Sequence, residues 1–423
     1  MSAIETRLLP DTASVGPQGQ LMVGGCDTIE LAKQFGTPLF VYDETHLRER
    51  CRQAVGAFGF GVNYATKAFL CRAMARLAVE EGMNLDVSTQ GEYHVARSAG
   101  IAADRMVLHG NNKSLDELRV AMADGIGRIV VDSFDEIDRI EFLVQQGLPK
   151  PRVLARITPG VEAHTHEFVQ TGQDDSKFGF GVASGAAAAA LARLAVSPAC
   201  ELLGMHAHVG SQVFEAKFFE QAVEVLAQFF ATYDLAELSV GGGLGVAYVE
   251  QERAPTIEEW GIGIRRACDA AGVDAQVTAE PGRAIVASAG ITLYTVGTIK
   301  ELPGIRTYVS VDGGMSDNPR PVLYGSGYET FLPRDVEADR PRTVRVVGKH
   351  CESGDLLVRE AQVPADLAIG DVLCTPVTGA YGHSMGSNYN KILRPAVVFV
   401  REGQARLVVR RETLDDLLNC EVD

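Results

Sequence analysis

The sequence predicts two folds in one chain, an α/β barrel and a β domain. Between residues 61 and 282, short strand-like runs alternate with segments whose apolar residues recur at helical spacing. The runs begin near residues 61, 84, 106, 128, 152, 202, 237 and 276. Helices are predicted between them, as in residues 114–125, 135–147 and 214–233, from their polar starts and apolar faces. Eight such units predict a parallel (β/α)8 barrel of the TIM type over residues 41–285.

A β domain is predicted after the barrel. The segments there are rich in valine and threonine and are separated by glycine and proline: TYVSVDGG, RTVRVVGKHC, DVLCTPV and AVVFVREGQARLVVRRE. Residues 37–42 form a further candidate strand of this domain. We therefore expect a discontinuous domain of the β-sandwich or β-barrel type, over residues 1–40 and 286–423.

Length and charge favour an enzyme that acts on a small molecule. A chain of 423 residues exceeds the usual single-domain size, so one large and one smaller domain are expected. The formal net charge is -16 and the pI is near 5.1. Nucleic-acid-binding proteins usually show a basic surface, so no nucleic-acid partner is predicted.

The cysteines and apolar segments favour a cytoplasmic protein. None of the eight cysteines has the C-x-x-C spacing of a zinc or redox site, and reduced thiols are expected. The first 25 residues contain no apolar segment of the signal-peptide type. The alanine-rich residues 185–196 are interrupted by Arg193 and are too few to span a bilayer, so no membrane partner is predicted.

Lys67 and Glu280 together predict the cofactor. Lys67 ends the first strand run, where a lysine can form a Schiff base with an aldehyde cofactor, although a single lysine is more often an ordinary solvated residue. Glu280 ends the eighth run in AEPGR. A carboxylate beside a pyridine nitrogen keeps it protonated, so that the ring accepts electrons when a Cα bond breaks. The pair predicts pyridoxal 5'-phosphate and favours a decarboxylase over a racemase.

Glycines after the seventh and eighth strands predict a phosphate site. (β/α)8 barrels often bind phosphate at this position, and glycine lets backbone N–H groups approach an anion. The candidates are Gly243 in VGGGLG and the pair Gly282 and Arg283. A tight turn is the ordinary alternative for a glycine run.

The sixth strand ends in HAHVGS, with His206 and His208 on one face. An H-x-H pair raises the possibility of a metal site, but no other ligand cluster accompanies it in the sequence, and no metal is predicted. We expect His208 to stack on the pyridine ring and Ser211 to bind the phosphate. His206 is compatible with an ordinary core histidine.

The β domain carries three polar motifs. HCESGD places the Cys351 thiol beside the Glu352 carboxylate, and a thiol there can deliver a proton to a carbanion. A buried apolar cysteine is the ordinary alternative. The motif DGGMSDNPRP and the residues after it offer Arg320 and Tyr324, and GAYGH offers the phenol of Tyr381.

These motifs and their order resemble the fold type III pyridoxal-phosphate-dependent amino-acid decarboxylases, and within them the diaminopimelate decarboxylase family. The resemblance covers almost the whole chain. It includes YATKA, HTHEFVQTGQDDSKFGF at residues 164–180, HAHVGSQ, GGGLG, EPGR, DGGMSDNPRPVLY, CESGD and GAYGHSMGSNYN.

The resemblance implies a role for each matching residue. Lys67 would carry the cofactor as a Schiff base, Glu280 would contact its ring nitrogen and His208 would stack on its ring. Cys351 would donate a proton after decarboxylation. The other cofactor-binding residues would be Asp86, Ser211, Gly243, Pro281, Gly282, Arg283 and Tyr381. The substrate-binding residues would be Arg283, Arg320, Tyr324, Glu352 and Tyr381.

The resemblance also implies an assembly and a reaction. In this family the residues at positions 351 and 352 come from the partner subunit, so a homodimer with shared active sites is expected. The expected reaction is decarboxylation of meso-2,6-diaminopimelate at its D centre to L-lysine and CO2, the last step of lysine biosynthesis. Arg320, Tyr324 and Glu352 favour it, because a zwitterionic distal end needs both a cation and an anion.

Two alternatives stay open at this point. One is a relative that acts on another amino acid, such as a D-amino acid or a carrier-tethered glutamyl group. The other is a catalytically silent regulatory homologue, against which the presence of both Lys67 and Cys351 argues.

Overall fold

The computed structural model describes residues 4–160, 175–208, 210–214 and 216–422, without the side chains of residues 216–218. Residues 164–174 of the predicted family motif at 164–180 lie outside this description. The chain divides into two compact units. The barrel unit comprises Arg50–Val246 and Ala254–Ala284, and the β unit comprises Met1–Glu49, Ala247–Arg253 and Ile285–Asp423. The domain limits proposed from the sequence stay a prediction.

The N-terminal part of the chain forms a small antiparallel sheet and then enters a larger one. Its elements are β1 (Ser14–Val15), β2 (Leu21–Val23), β3 (Cys26–Asp27), α1 (Thr28–Phe35), β4 (Leu39–Asp43) and α2 (Glu44–Phe58). The side chain of Asp27 accepts hydrogen bonds from the amides of Ile29 and Glu30 and so caps α1.

In the described part of the barrel unit, eight parallel strands form the main sheet, and all eight predicted strand positions are confirmed. Its elements are β5 (Asn63–Ala65), α3 (Arg72–Glu80), β6 (Asn84–Val87), α4 (Gln90–Ser98), β7 (Met106–Leu108), α5 (Leu115–Ala123), β8 (Arg128–Val131), α6 (Phe134–Gln145), β9 (Arg152–Thr158), β10 (Phe180–Gly181), α7 (Ala186–Val196), β11 (Glu201–His206), α8 (Ala216–Phe230), β12 (Glu237–Ser239), α9 (Ile257–Ala270) and β13 (Gln276–Thr278). The strand order is β13-β12-β11-β9-β8-β7-β6-β5, and β10 is a short addition that pairs with β9. The amides of Asn63 and Ala65 donate to the carbonyls of Ala279 and Pro281 at 2.9 and 3.2 Å, which joins the first strand to the chain after the last.

Local sequence explains the strand and helix alternation. The barrel strands are short and mostly buried, as expected when helices cover a parallel sheet. Several helices then begin at a serine or threonine that caps them: Thr89, Ser114, Ser133 and Thr256 each accept a hydrogen bond from a first-turn amide. Strands β6 and β8 end two residues before such a cap, at Thr89 and Ser133, which places polar side chains at the carboxyl ends of these strands.

The C-terminal part of the chain completes the larger sheet of the β unit. The elements are α10 (Arg283–Val286), β14 (Gly290–Leu302), β15 (Arg306–Val311), α11 (Arg320–Tyr324), β16 (Arg342–Val347), β17 (Leu356–Val363), β18 (Val372–Thr375), β19 (Ala396–Arg401) and β20 (Gln404–Val409). The order is β17-β16-β15-β14-β4-β19-β20, with β18 also paired to β14. The strand predicted at residues 37–42 is therefore present as β4, antiparallel to β14 and parallel to β19.

Within the described ranges, no helix combines the length and the apolar character that a membrane crossing requires. The side chains of Cys351 and Cys420 are exposed, that of Cys200 is half-buried, and those of the other five cysteines are buried.

Candidate active site

Lys67 projects from the carboxyl end of β5. It lies in a single 3-10 turn, Thr66–Ala68, whose other two residues are buried. The Thr66 hydroxyl donates to the carbonyl of Asp86 at 2.8 Å, which fixes this turn to the neighbouring strand. Lys67 itself is exposed, and its ammonium makes no hydrogen bond or ion pair within the described part of the chain. The strand end is therefore rigid while the amine stays available to a ligand.

Glu280, just after β13, is a buried carboxylate held by two histidines. Its Oε2 lies 2.9 Å from Nε2 of His206, and its Oε1 lies 3.1 Å from Nε2 of His109. The hydroxyl of Ser239 donates to Oε1 at 3.2 Å. Burial raises the pKa of Glu280, but the electrostatic interactions of its carboxylate with His109 and His206 outweigh burial and hold that pKa well below its ordinary value. Glu280 is thus an anion in a buried position.

The pKa values of the two histidines shift in opposite directions. Burial lowers the pKa of His206 to about 4, so its ring is neutral near pH 7 and donates through Nε2 to Glu280. Burial also lowers the pKa of His109, but the charges of Asp86 and Glu280 reverse this and raise it overall. The rings of His109 and His206 meet edge to face with centroids 4.9 Å apart. His206, compatible with a core histidine from the sequence, therefore belongs to the Glu280 cluster.

Asp86 on β6 is the second buried acid of this cluster. Its Oδ1 lies 3.7 Å from Nε2 of His109. Burial raises the pKa of Asp86 to about 6; His109 and Lys67 lower it and Glu280 raises it further. The charge of Lys67 thus acts on Asp86, as it does on His208.

His208, two residues after β11, is fixed by the glycine loop. Its Nδ1 accepts a hydrogen bond from the amide of Gly242 at 3.2 Å. Burial lowers the pKa of His208 well below its ordinary value, and the charges of Lys67 and Arg156 act in the same direction. The imidazole is therefore neutral, as a ring that stacks on an aromatic ligand should be.

The glycine loop after β12 is too crowded for side chains. A Cβ on Gly241 would lie 2.3 Å from the carbonyl oxygen of Ala207, and one on Gly243 would lie 2.2 Å from that of Gly210. Both glycines also have positive φ, +71° and +112°. The loop can therefore pack against the chain after β11 only because it lacks Cβ atoms here.

Polar groups suited to an anion surround this loop. Nη2 of Arg283 donates to the hydroxyl of Ser211 at 2.9 Å. Among the described residues, no acceptor takes a hydrogen bond from the amide of Gly243 or of the buried Gly282. Donors without partners, beside a guanidinium, favour a bound phosphate or carboxylate. Pro281, between Glu280 and Gly282, is buried and accepts the hydrogen bond from Ala65 described above.

The metal alternative takes a different form from the H-x-H pair in the sequence. Ligand atoms of His109, His206 and Glu280 lie within 4.8 Å of one another, and His208 is not part of this group. The hydrogen bond between Glu280 and His206 and the ion-pair contact between Glu280 and His109 already account for the grouping.

His109 and Arg156 were not predicted from the sequence as residues of this site. His109 directly follows β7 in MVLHG, so its position at the end of a barrel strand was the available signal. Arg156 is buried on β9, with Nη1 3.3 Å from Oδ2 of Asp132 and its guanidinium 4.2 Å from the centre of the Phe178 ring. Its signal was a charged residue inside an otherwise apolar strand run.

Within the β unit, Arg320 is a buried cation. It begins α11 and is 4% exposed. Its Nη1 donates to the hydroxyl of Tyr328 at 2.5 Å, and its guanidinium lies 4.0 Å from the centre of the Tyr248 ring. No carboxylate of a described residue lies within 4.0 Å of it. Burial lowers the pKa of Arg320, but the phenols of Tyr248, Tyr328 and Tyr381 raise it overall.

Cys351 and Glu352 lie in an exposed loop between β16 and β17, which is anchored at both sides. The amide of Cys351 donates to Oδ1 of Asn390 at 2.9 Å, and the Tyr389 hydroxyl lies 3.5 Å from Oε2 of Glu352. The preceding residue, His350, is buried with Nδ1 2.8 Å from Oδ2 of Asp355. The loop therefore presents a thiol and a carboxylate outward from a fixed base.

Tyr324 and Tyr381 complete the predicted set. Tyr324 ends α11, one helical turn after Arg320, and is half-buried. Tyr381 is half-buried with φ +59°, a conformation that non-glycine residues rarely adopt. Its effect on the pKa of Arg320 places the two side chains within electrostatic reach of each other.

The predicted residues thus fall into two groups. The barrel unit brings together Lys67, Asp86, His208, Ser211, Gly243, Glu280, Pro281, Gly282 and Arg283 at the carboxyl ends of its strands. The β unit carries Arg320, Tyr324, Cys351, Glu352 and Tyr381.

The chain is similar over most of its length to known decarboxylases. The family model described as pyridoxal-dependent decarboxylase, pyridoxal binding domain, matches residues 44–287. The diaminopimelate decarboxylase of Mycobacterium bovis is 46% identical, with 96% of this chain and 95% of that protein covered. That of Bacillus subtilis is 44% identical, with 98% of each covered.

Solved structures show the same similarity. The crystal structure of diaminopimelate decarboxylase from M. jannaschii in co-complex with L-lysine superposes with a TM-score of 0.90 at 30% identity, and 98% of each chain is covered. Because the family model covers more than half of the chain and the relatives match it over nearly its full length, this chain belongs to the pyridoxal-dependent decarboxylases, in the diaminopimelate decarboxylase family.

Proposed function

We propose that this protein removes CO2 from the D centre of meso-2,6-diaminopimelate and releases L-lysine. The observation that carries the proposal is the buried Arg320 guanidinium, which has no carboxylate partner among the described residues. A buried charge is costly unless it is paired. A substrate with a second carboxylate, as diaminopimelate has, would supply the missing counter-ion. Substrates such as ornithine, which carry only an amine at the distal end, would not.

Pyridoxal phosphate is the cofactor of this family, and the barrel unit fits it. The fit rests on the exposed Lys67 amine, the buried Glu280 anion and the amides of Gly243 and Gly282, which donate to no described acceptor. Bound pyridoxal phosphate supplies a ring that accepts the electron pair left on Cα when CO2 departs. We assign Lys67 to the aldehyde, His208 to the ring face, and Ser211 with Arg283 to the phosphate.

Glu280 has the task of holding a proton on the ring nitrogen. Its carboxylate can do so because His109 and His206 keep it ionised in a buried position. In a low-dielectric surrounding, a fixed anion stabilises an adjacent cation far more than it would in water. We place Asp86 beside this pair as a second acidic group near the cofactor, with Pro281 and Tyr381 as further contacts.

The residues of the β unit have the tasks of binding the L centre and moving a proton. We assign Arg320 to the carboxylate of the L centre, with Tyr324 and Arg283 as additional contacts. Glu352 pairs with the amino group at that centre, and Tyr381 contacts substrate and cofactor. The Cys351 thiol delivers a proton through Sγ to the carbon that lost CO2, a role that suits an exposed thiol on an anchored loop.

We further propose a homodimer in which Cys351 and Glu352 complete the site of the partner subunit. The exposure of both side chains supports this, because groups that serve another chain must face outward. We place the enzyme in the cytoplasm, in keeping with eight cysteines of which no two have the C-x-x-C spacing of a zinc or redox site.

A substrate panel tests the proposed reaction. Release of CO2 is measured from the meso, LL and DD isomers of diaminopimelate and from lysine, ornithine, arginine and glutamate, with pyridoxal phosphate present. We expect release from meso-diaminopimelate and little from the substrates without a second amino-acid end. Faster release from another amino acid, with none from meso-diaminopimelate, would contradict the proposal.

A further inference from the structure

We infer that Tyr248 and Tyr328 are positioning residues that hold the Arg320 guanidinium for a carboxylate of the substrate. The inference deepens the proposed function and rests on it, because it concerns the arginine assigned to the L centre of the substrate. Neither tyrosine was singled out from the sequence, and neither belongs to the residues assigned above.

The two tyrosines contact different parts of the guanidinium. The Tyr248 ring lies under it, 4.0 Å from the ring centre, while the Tyr328 hydroxyl accepts from Nη1 at 2.5 Å. The tyrosine rings themselves meet edge to face, with centroids 5.2 Å apart and planes at 76°. All three side chains are buried, with exposed fractions of 2 to 4%. One ring therefore limits tilting of the guanidinium and one hydroxyl limits its rotation.

The segment that carries Tyr248 is anchored within the β unit. Residues Ala247–Arg253 lie between β12 and α9 in the chain, yet they pack with the β unit. The Glu250 carbonyl accepts from Arg7 at 2.6 Å, and the Glu250 carboxylate pairs with Nη2 of the buried Arg340 at 2.9 Å. The amide of Glu250 donates to Oε1 of Glu329, the neighbour of Tyr328, at 3.3 Å. These bonds fix Tyr248 and Tyr328 relative to each other.

Tyr248 and Tyr328 stabilise the Arg320 guanidinium while no substrate carboxylate is bound. A guanidinium presents five N–H donors in a planar fork, and it binds a carboxylate best when the fork is already aligned. A carboxylate of the protein in contact with it would compete with the substrate. Aromatic faces and a phenol oxygen stabilise the cation without a formal negative charge. The Tyr248 ring and the Tyr328 hydroxyl therefore keep the buried Arg320 charged and leave its other N–H groups available to a substrate carboxylate.

Two small ligands separate a positioning role from a structural one. L-lysine retains the carboxylate of the L centre, whereas cadaverine has the same carbon chain and amines without that carboxylate. Inhibition constants of both are measured against meso-diaminopimelate on the cofactor-loaded enzyme. The variants are Tyr248→Leu, which removes the ring, Tyr248→Phe, which keeps it, and Tyr328→Phe, which removes only the hydroxyl. Tyr308→Leu is the matched control, because the cation over the Tyr308 ring is the exposed Arg306.

The expected result is a loss confined to L-lysine. For Tyr248→Leu the L-lysine inhibition constant should rise roughly 5- to 30-fold, the effect of removing a desolvated cation–π contact. For Tyr328→Phe it should rise roughly 10-fold or more, the effect of losing a hydrogen bond to a charged group. Tyr248→Phe should restore most of the affinity, Tyr308→Leu should behave as wild type, and cadaverine should bind all variants alike.

Two outcomes would overturn the inference. Equal losses for L-lysine and cadaverine would show that the tyrosines only support the fold, and unchanged L-lysine constants would show that they do not position Arg320. Because Tyr328→Phe is nearly isosteric, it tests the inference even if Tyr248→Leu does not fold. If the wild type releases no CO2 from meso-diaminopimelate, the proposed function fails. Direct calorimetric binding of L-lysine and cadaverine then still decides between these outcomes.

Discussion

Nε2 of His109 lies 3.1 Å from Oε1 of Glu280, and both side chains are buried in the barrel unit. His109 follows β7 and Glu280 follows β13, so the barrel brings together two groups that are far apart in the chain. With His206 on the other carboxylate oxygen, this contact holds Glu280 ionised where burial alone would favour the neutral acid. We expect catalysis to depend on this ionised carboxylate.

Replacing Glu280 with glutamine should remove catalysis more than cofactor binding. The amide keeps the shape of the side chain but cannot hold the ring nitrogen protonated, so the loss falls on the transition state. We expect kcat to fall by at least about 100-fold, as for other fixed electrostatic groups. Steady-state kinetics and cofactor titration of the same preparation measure the two effects. Unchanged kcat would assign the role to another group.

Replacing Lys67 with alanine should abolish covalent attachment of the cofactor. The amine of Lys67 is exposed on a rigid turn, and its loss should leave the fold intact. After borohydride treatment, mass spectrometry should find the cofactor on the wild-type chain and not on Lys67→Ala. Lys150→Ala, which removes an exposed lysine of the same unit, is the control and should retain the adduct. An adduct on Lys67→Ala would refute the assignment.

The raised pKa of Asp86 predicts how stability changes with pH. In the folded chain this pKa is about 6, above its ordinary value of 3.8, so the folded state binds the proton more tightly than the unfolded chain. The resulting stabilisation is complete below about pH 4 and is lost as the pH rises to about 6. In Asp86→Asn the asparagine side chain does not titrate, so the variant does not lose this stabilisation as the pH rises. The unfolding free energy of the variant, relative to wild type, should therefore increase by about 1 to 3 kcal/mol between pH 4.5 and pH 7.5.

Urea denaturation of the cofactor-free proteins at the two pH values measures this difference. Cofactor-free protein is used because a bound cofactor would change the charges around Asp86. A difference that is the same at both pH values would mean that Asp86 is not the group that titrates.

Replacing Gly243 with alanine should distort the glycine loop after β12, because the new Cβ clashes with a neighbour and because alanine disfavours the positive φ angle of this position. The added Cβ would meet the carbonyl oxygen of Gly210 at 2.2 Å, so loop and neighbour must separate. Gly272 has φ +71° and open space around it, so Gly272→Ala carries only the conformational cost, about 1 to 2 kcal/mol. We expect Gly243→Ala to weaken cofactor binding by more than about tenfold, a loss above 1.4 kcal/mol. Gly272→Ala should leave binding unchanged. Equal cofactor affinities in the two variants would exclude this loop from the cofactor site.

Subunit mixing tests the proposed shared site. Lys67→Ala and Cys351→Ala homodimers should each be nearly inactive. After exchange, one site of each heterodimer would have both residues intact, and random pairing makes about half of the dimers mixed, so about a quarter of wild-type activity should return. Native mass spectrometry confirms the exchange. Exchange without recovered activity would place both residues in the site of one chain.

The sequence alone predicts the barrel well because its signals are local. Its strands are short runs separated by helical segments, several of which begin at a serine or threonine cap, and both features depend on neighbours in the sequence. Lys67, Glu280 and His208 were found because they stand at the ends of such runs. Strands β14 and β17 were not among the predicted segments, although β14 pairs with β15 and β17 with β16, its neighbour in the chain. Charged residues interrupt the apolar pattern of both strands, at positions 300–301 in β14 and 359–360 in β17.

The missed contacts depend on packing that a single sequence does not reveal. His109 gains its role from the distance between the ends of β7 and β13. Tyr248 gains its role because residues Ala247–Arg253 leave the barrel unit and pack with the β unit, although they follow the glycine loop in the chain. Nothing in the run AYVEQER predicts this change of unit, so the sequence gives no reason to assign Tyr248 to the site.

The stereochemistry of the product tests the central claim most directly. The cofactor-loaded enzyme is incubated with meso-diaminopimelate in D2O. The lysine formed is separated on a chiral column, and its deuterium content is measured by mass spectrometry. The account predicts only L-lysine, with one carbon-bound deuterium at the former D centre, because Arg320 and Glu352 hold the L centre while the D centre loses CO2. Formation of D-lysine, or of no lysine while CO2 is released from a different amino acid, would contradict it.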